Sequence, residues 1–538
     1  MAGNGKRKLL NMNKSKDLKL WLLFFLYTAS VSAFVQIVLL PYILPFFHAG
    51  NGLLNSSYDS IGFHRIAVDL VNKIRAQGWS AWELRPGRQG IAGIVSIFYF
   101  FALPDSRILI PLQAALHASA ALILVNLLSL FVKNRNKAIL CVLPFLVFPS
   151  NLQWTAQMHK DGFSILGVVF ILQGMVSLAR VENYKAKNWF FINFRSIVFC
   201  VCGFILIWIM RPYMLTIIRP FVEVFFYLLF ITFLIRMFKK ETSWQKMLSI
   251  SLSMLLIFFI LSHAKTGLSS SDFRERVIVS DSEEEWEWVE VEEISQPTVA
   301  TKPTAEMPPV KEEAPIVVAK EEARVVTPVL QPTVAAKPIS SYPKQEISKS
   351  KTRKIKVKRK KEIKNCDIEN NWERSAWLPP FIESKAYNLA AVRRGYRFSS
   401  PEAKSNIDHD IGFGSIKDTL FYLPRVAQIV LLAPFPNQWF GEGSQQANSM
   451  MRRISGFEMT ITYFALIFLP YAIWYWRKRI EIWVLSAFCF YMMLVHGLVV
   501  CNIGTLYRFR YPYITILVAL GVAGFFAFLE QLTIRRRN

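Results

Sequence analysis

LWLLFFLYTASVSAFVQIVLL, residues 20–40, contains no charged side chain from end to end. At about 1.5 Å of rise per residue, such a run as a helix crosses roughly 30 Å of hydrocarbon. It is longer than a signal-peptide core and has no clear cleavage site, so it reads as a retained span. The segment before it, MAGNGKRKLLNMNKSKDLK, is basic and is expected to stay cytoplasmic. Further along, the same kind of run recurs. The chain of 538 residues is 53% hydrophobic with 43 Phe, and that apolar share lies in long blocks rather than in stripes. The expected fold is therefore an all-α polytopic membrane protein.

Charge between the apolar blocks sets the expected topology. The run GIAGIVSIFYFFALP (90–104) is short for a span and suits an interfacial or re-entrant helix. If it does not cross, the basic segments at 133–137, 180–187, 236–246, 477–479 and 535–537 all fall on the cytoplasmic side. Ten spans follow, near 18–42, 107–132, 136–152, 162–181, 194–211, 214–237, 245–263, 457–476, 481–500 and 511–533, with both termini cytoplasmic. The run 419–435, which carries Pro424, Arg425 and Pro434, is placed in the interface.

The net charge of +25 is distributed at the ends of apolar runs and in one loop, which fits topology signals rather than a nucleic-acid face. The six cysteines (Cys141, Cys200, Cys202, Cys366, Cys489, Cys501) show no metal-site pairing, and packing is the expected role of Cys200 and Cys202. Four regions are expected: an N-terminal bundle over 1–263 whose first external loop is 43–106, a loop over 264–371, an ordered juxtamembrane segment over 372–456, and C-terminal spans over 457–538. Inside the loop, 280–365 runs from an acidic block (DSEEEWEWVEVEE, 281–293) through Pro-rich sequence to a basic block (KSKTRKIKVKRKKEIK, 349–364). Its composition buries too little apolar surface to offset chain entropy, so it reads as a disordered external linker.

The expected external loops carry the chemistry. YDSIGFH (58–64) holds Asp59 and His64, HKDG (159–162) holds Lys160 and Asp161, MRPY (210–213) holds Arg211, and YRFRYPY (507–513) holds Tyr507, Arg508 and Arg510. Each has a plain structural role open to it. Asp59 suits a helix cap or turn, Asp161 a helix N-terminus, and Lys160 a snorkelling position. Two arginines in a short external loop run against the positive-inside bias, however, and guanidinium forks match phosphate oxygens. Arg393, Arg394, Arg397, Asp408, His409, Asp410 and Arg425 are further external polar residues without diagnostic spacing. No P-loop, dinucleotide fingerprint, HExxH or GxSxG is present.

In this arrangement the chain resembles the GT-C superfamily of membrane glycosyltransferases, such as protein O-mannosyltransferases, aminoarabinose transferases and bacterial polysaccharide-assembly relatives. YDSIGFHRIA resembles their first external loop with its acidic residue, Lys160–Asp161 a second acidic motif, and YRFRYPY an arginine-rich entry to a late span. The chain departs from the protein mannosyltransferases in lacking an Asp-Glu pair in the first loop. The resemblance implies a polyprenyl-phosphate-linked sugar donor, a glycan, lipid or protein acceptor, transfer at the periplasmic face of a bacterial inner membrane, and no nucleic acid. It implies Asp59 and Asp161 as catalytic carboxylates, with Asp161 open as a ligand of a divalent cation. It also implies Arg508, Arg510, Lys160, Arg211, His64 and Tyr507 as contacts to the lipid phosphate. An O-antigen-type polymerase or ligase, and a lipid-linked sugar transporter or flippase, are the rival readings.

Overall fold

The first apolar run forms the second half of a helix, Ala2–Ala33 (α1), that continues as a π-helical stretch, Phe34–Ile43, around Pro41. The structure is a computed structural model that describes residues 2–55, 58–180, 189–240, 244–263, 284–292, 352–360, 372–399, 401, 403–443 and 446–537. The chain divides into two units, one formed by 1–281 with 364–538 and the other by 282–363.

The larger unit is helical. After α1 come α2 (Tyr58–Gln77), α3 (Gly90–Phe101), α4 (Ile110–Leu128), α5 (Arg135–Val147), α6 (Pro149–Thr155), α7 (Asp161–Ala179), α8 (Trp189–Met210), α9 (Tyr213–Phe238) and α10 (Trp244–His263). Beyond the second unit follow α11 (Pro380–Ser399), α12 (Ile416–Leu432), α13 (Gln446–Tyr475), α14 (Ile480–Val499) and α15 (Ile503–Arg537). Among the described residues, eight helices (within α1, α4, α7, α8, α9, α13, α14 and α15) are long and apolar enough to cross a membrane.

The expected ten include two further crossings that this count leaves out, and it reaches nine if the bent pair α5–α6 is one span. The span expected at 136–152 is two helices, α5 and α6, bent by 66°. The reason is local: Phe148 precedes Pro149, a position biased to extended backbone (φ −60°, ψ 123°), and Pro149 opens the next helix. The span expected at 245–263 coincides with α10, in which Ser251–Ser262 counts only as a shorter apolar helix. Helix α3 is likewise short, and α12 is not among the membrane-crossing helices. On α12, Thr419, Tyr422, Val426, Ile429 and Val430 are buried on one side, while Leu420 and Phe421 are exposed on the other.

The centre of this unit is α7 and α15, whose apolar windows are 78% and 72% buried, against 22% for α1 and α9. Close helix approach needs small residues there. A Cβ on Gly203 of α8 would lie 2.5 Å from the Gly167 carbonyl of α7, and one on Gly521 of α15 would lie 2.1 Å from the Ala465 carbonyl of α13. Of the paired cysteines on α8, Cys200 is buried against α7 and Cys202 is exposed.

The two ends of the bundle are chemically distinct. One end joins Asp17 to Arg135, Lys137 to Glu530 and Arg180 to Glu481 (3.3 Å). The opposite end carries α2, α3, the α8–α9 turn, the start of α15 and the segment from Trp372 through α12. Side-chain to main-chain bonds tie that segment down, such as Arg393 Nη1 to the Leu498 carbonyl (3.0 Å), with a backbone bond from Ile407 N to the Cys501 carbonyl (2.9 Å).

In the smaller unit, Glu284–Glu292 (β1) and Thr352–Lys360 (β2) form an antiparallel pair. The disordered linker expected over 280–365 is therefore corrected at its two charged blocks. The register sets Glu284 opposite Lys360, Glu285 opposite Arg359 and Glu290 opposite Lys354. Opposite charges across a ladder favour pairing, and β-branched and aromatic residues alternate with them. The rest of that linker, Cys366 and the basic residues 181–187 lie outside the described residues.

Candidate functional site

Four sequence-distant segments meet at Arg508, in the second turn of α15. Arg508 Nη1 donates to Asp59 Oδ2 at 2.7 Å and its Nε donates to Asp161 Oδ2 at 2.8 Å. The third face of the same guanidinium, Nη2, is 3.1 Å from His159 Nδ1. Asp161 is held from its other side by Arg211 Nη2, 2.6 Å from Oδ1. Asp59 sits in the first turn of α2 and Asp161 opens α7, so both carboxylates also lie at helix N-termini, where the dipole favours negative charge.

Burial separates the two carboxylates. The Asp161 side chain is 5% exposed with both oxygens engaged, whereas Asp59 is 57% exposed and uses only Oδ2 on Arg508. Burial alone would raise the Asp59 carboxyl, but the hydrogen bond and charge of Arg508 outweigh it and hold the group below the ordinary carboxylate range. His159 is buried and its pKa falls to about 4, through desolvation first and the Arg508 charge second. It is therefore neutral at pH 7 and accepts from Arg508 at Nδ1, which puts its proton on Nε2, 3.3 Å from Ser60 Oγ.

Lys160 packs its ammonium 4.7 Å from the centre of the Phe63 ring. Burial, then the charge of Arg211, brings its pKa down to about 8. Arg211 lies over Phe509 at 5.0 Å, and Asp161 outweighs burial to raise its pKa. The cluster thus holds three cations, Lys160, Arg211 and Arg508, against two carboxylates, Asp59 and Asp161. Among the described residues no group of three or more His, Cys, Asp or Glu is arranged to hold a metal ion. Asp161 has both oxygens engaged by guanidinium groups, Oδ1 by Arg211 and Oδ2 by Arg508.

Three residues of the expected site are engaged elsewhere. Arg510 is 1% exposed and donates to the carbonyls of Ile429, Val430 (2.7 Å) and Ala433, closing the C-terminus of α12. Tyr507 donates to Glu458 Oε2. His64 Nδ1 is 2.8 Å from the Tyr99 hydroxyl of α3. The separation of Arg508 from Arg510 is geometric: two positions on an α-helix point about 200° apart.

Two functional-looking groups escaped the sequence reading. His159 stands directly before Lys160 and Asp161, inside a motif already noted, but nothing local to HKDG tells which side chains turn inward. Glu458 is fully buried on α13, where it accepts from Ser150 N at 2.7 Å, from Ser150 Oγ at 2.6 Å and from Tyr507. A carboxylate within the apolar run 457–476 was the available signal. No family model, curated protein or solved structure matches this chain.

Proposed function

We propose that the protein is a membrane glycosyltransferase of the GT-C kind, with ten membrane crossings and an external active site. It moves a sugar from a polyprenyl-phosphate donor to the hydroxyl of a glycan, lipid or protein acceptor. The observation that carries this reading is the excess of cations around Arg508 beside one exposed carboxylate. A phosphate leaving group needs positive charge where its own develops, and an acceptor hydroxyl needs a base with an open lone pair.

In this reading Asp59 takes the proton of the acceptor hydroxyl at Oδ1. The acceptor oxygen attacks the anomeric carbon, the bond from that carbon to the phosphate oxygen breaks, and its electron pair stays on the phosphate. Lys160 and Arg508 stabilise the phosphate so formed. Asp161 and Arg211 do not meet substrate. They fix the Arg508 guanidinium, since Asp161 holds Nε and Arg211 holds Asp161. His159 completes the cradle from the third side.

The test is release of polyprenyl phosphate from a radiolabelled polyprenyl-phosphate hexose by the protein in nanodiscs, with a membrane extract as acceptor source. Release by the native chain that disappears in Asp59→Asn is expected. No release by the native chain, or equal release by the variant, sinks the reading. Release only from a lipid-pyrophosphate donor would instead favour the polymerase or ligase class.

A further inference from the structure

At the same end of the bundle as Arg508, but built by other residues, a cavity of about 260 Å³ opens between α11 and the chain at 412–414. Tyr387, Arg394 and Phe398 line it from one side of α11, at helical spacing, with Ala390 and Ala391 leaving room between them. Trp372 and Phe413 form the facing walls. We propose that this cavity binds the ring of an anionic saccharide, such as a uronic acid unit of the acceptor.

Shape and charge both point that way. The cavity is slightly smaller than the ~300 Å³ at which drug-sized pockets begin, so it suits one ring rather than an oligomer or a lipid tail. Its aromatic walls are fixed in place. Trp372 Nε1 donates to Glu383 Oε1 at 2.9 Å, and its ring meets Tyr387 edge-on at 5.8 Å. Phe413 lies under the Arg393 guanidinium at 4.9 Å, and a backbone bond from Glu373 N to the Gly414 carbonyl (2.8 Å) joins the two walls. Flat apolar faces at fixed spacing match the C–H faces of a sugar ring.

The lining contains two guanidinium groups and no carboxylate. Arg397 spends Nε and Nη2 on the carbonyls of His409 and Asp410. Arg394 differs: among the described residues it makes no hydrogen bond or ion pair, only a stack on Phe398 at 5.8 Å, and its Nε is buried without a partner. Leaving a buried donor unmet is costly. A carboxylate on the bound ring would satisfy it through the planar fork. That the ligand is anionic follows from this charge balance alone. That it is a sugar rests on the glycosyltransferase reading.

The test uses the full chain in zwitterionic nanodiscs, with methyl glucuronoside and its neutral counterpart methyl glucoside as probes. Quenching of tryptophan fluorescence and calorimetry report binding. Saturable binding of the glucuronoside is expected, with the glucoside weaker by about tenfold or more and Arg394→Gln weakening the glucuronoside similarly. Arg394→Lys, which keeps the charge without the fork, is expected to fall between. Absent binding, equal binding of the two glycosides, or undiminished binding in Arg394→Gln overturns the proposal. So does loss of glucuronoside binding when anionic phosphatidylglycerol is added, which would assign the cavity to a lipid headgroup. Binding needs no donor, so a glycoside that binds where transfer is absent would fault the proposed reaction and leave the anion site standing.

Discussion

Arg508 stands between Asp59 and Asp161, hydrogen-bonded to the first at 2.7 Å through Nη1 and to the second at 2.8 Å through Nε. One guanidinium therefore joins the start of α2, the start of α7 and the start of α15. The three helices approach from separate parts of the chain, so this contact reports on assembly and on chemistry at once.

The two carboxylates respond differently to neutralisation. Asp59→Asn removes an exposed charge and leaves the Arg508–Asp161 pair intact, so thermal stability in detergent is expected to change by less than about 1 kcal/mol. Transfer activity is expected to fall by about 10²–10⁴, the usual scale of a lost general base. A variant that transfers sugar at the native rate would remove Asp59 from the reaction.

Asp161→Ala is expected to do the reverse. It leaves Arg211, 7% exposed, without its carboxylate, and breaking such a buried pair costs about 3–5 kcal/mol. Denaturant unfolding of the detergent-solubilised protein measures this. A native-like midpoint would show that Arg211 finds another partner.

Lys160 gives the site a pH dependence of definite sign. Its pKa lies below the ordinary lysine value, at about 8, so the charged form is complete well below pH 8 and is lost as pH rises through that value. Affinity for a short-chain polyprenyl phosphate is therefore expected to weaken between about pH 7 and pH 9. The ligand does not cause this, because a phosphate monoester has its second pKa near 6 and is already doubly charged. Lys160→Arg keeps its charge and is expected to flatten the profile. A slope that persists in that variant would assign it to another group.

Arg510→Ala separates structure from binding. Arg510 closes the carbonyl end of α12 and reaches none of the Asp59, Asp161 or Lys160 side chains by hydrogen bond. Loss of buried charged donors is expected to destabilise the protein by about 2 kcal/mol or more while polyprenyl-phosphate affinity of the folded fraction stays native. Arg508→Ala is expected to lower that affinity by at least about tenfold. Equal affinity losses in the two variants would contradict the division of roles between them.

The extent to which the site was legible depended on where helices begin. YRFRYPY reads as a loop if the last span starts near 511, and in a loop both arginines are equivalent. Helix α15 instead begins at Ile503, so the motif is helical and its residues face different neighbours. Likewise YDSIGFH is already the first turns of α2, which turns Asp59 toward α15 and His64 toward Tyr99 on α3. Phe148–Pro149 carried a visible break signal, and the span expected over 136–152 ran across it, so the 66° bend between α5 and α6 came only from the structure.

The sequence by itself determined the long apolar helices and their order, because apolar runs of sufficient length leave the backbone no other way to satisfy its hydrogen bonds in a membrane. It also determined that Asp59, Lys160, Asp161, Arg211 and Arg508 belong to one end of the bundle, since each lies at a helix end and alternate helix ends share a side. Only the tertiary structure decided which of these touch. The rotation of each helix about its own axis is set by packing, by Gly203 of α8 against α7 and by Gly521 of α15 against α13. That rotation, and not residue type, aims Arg508 at two carboxylates and Arg510 at the carbonyls of α12.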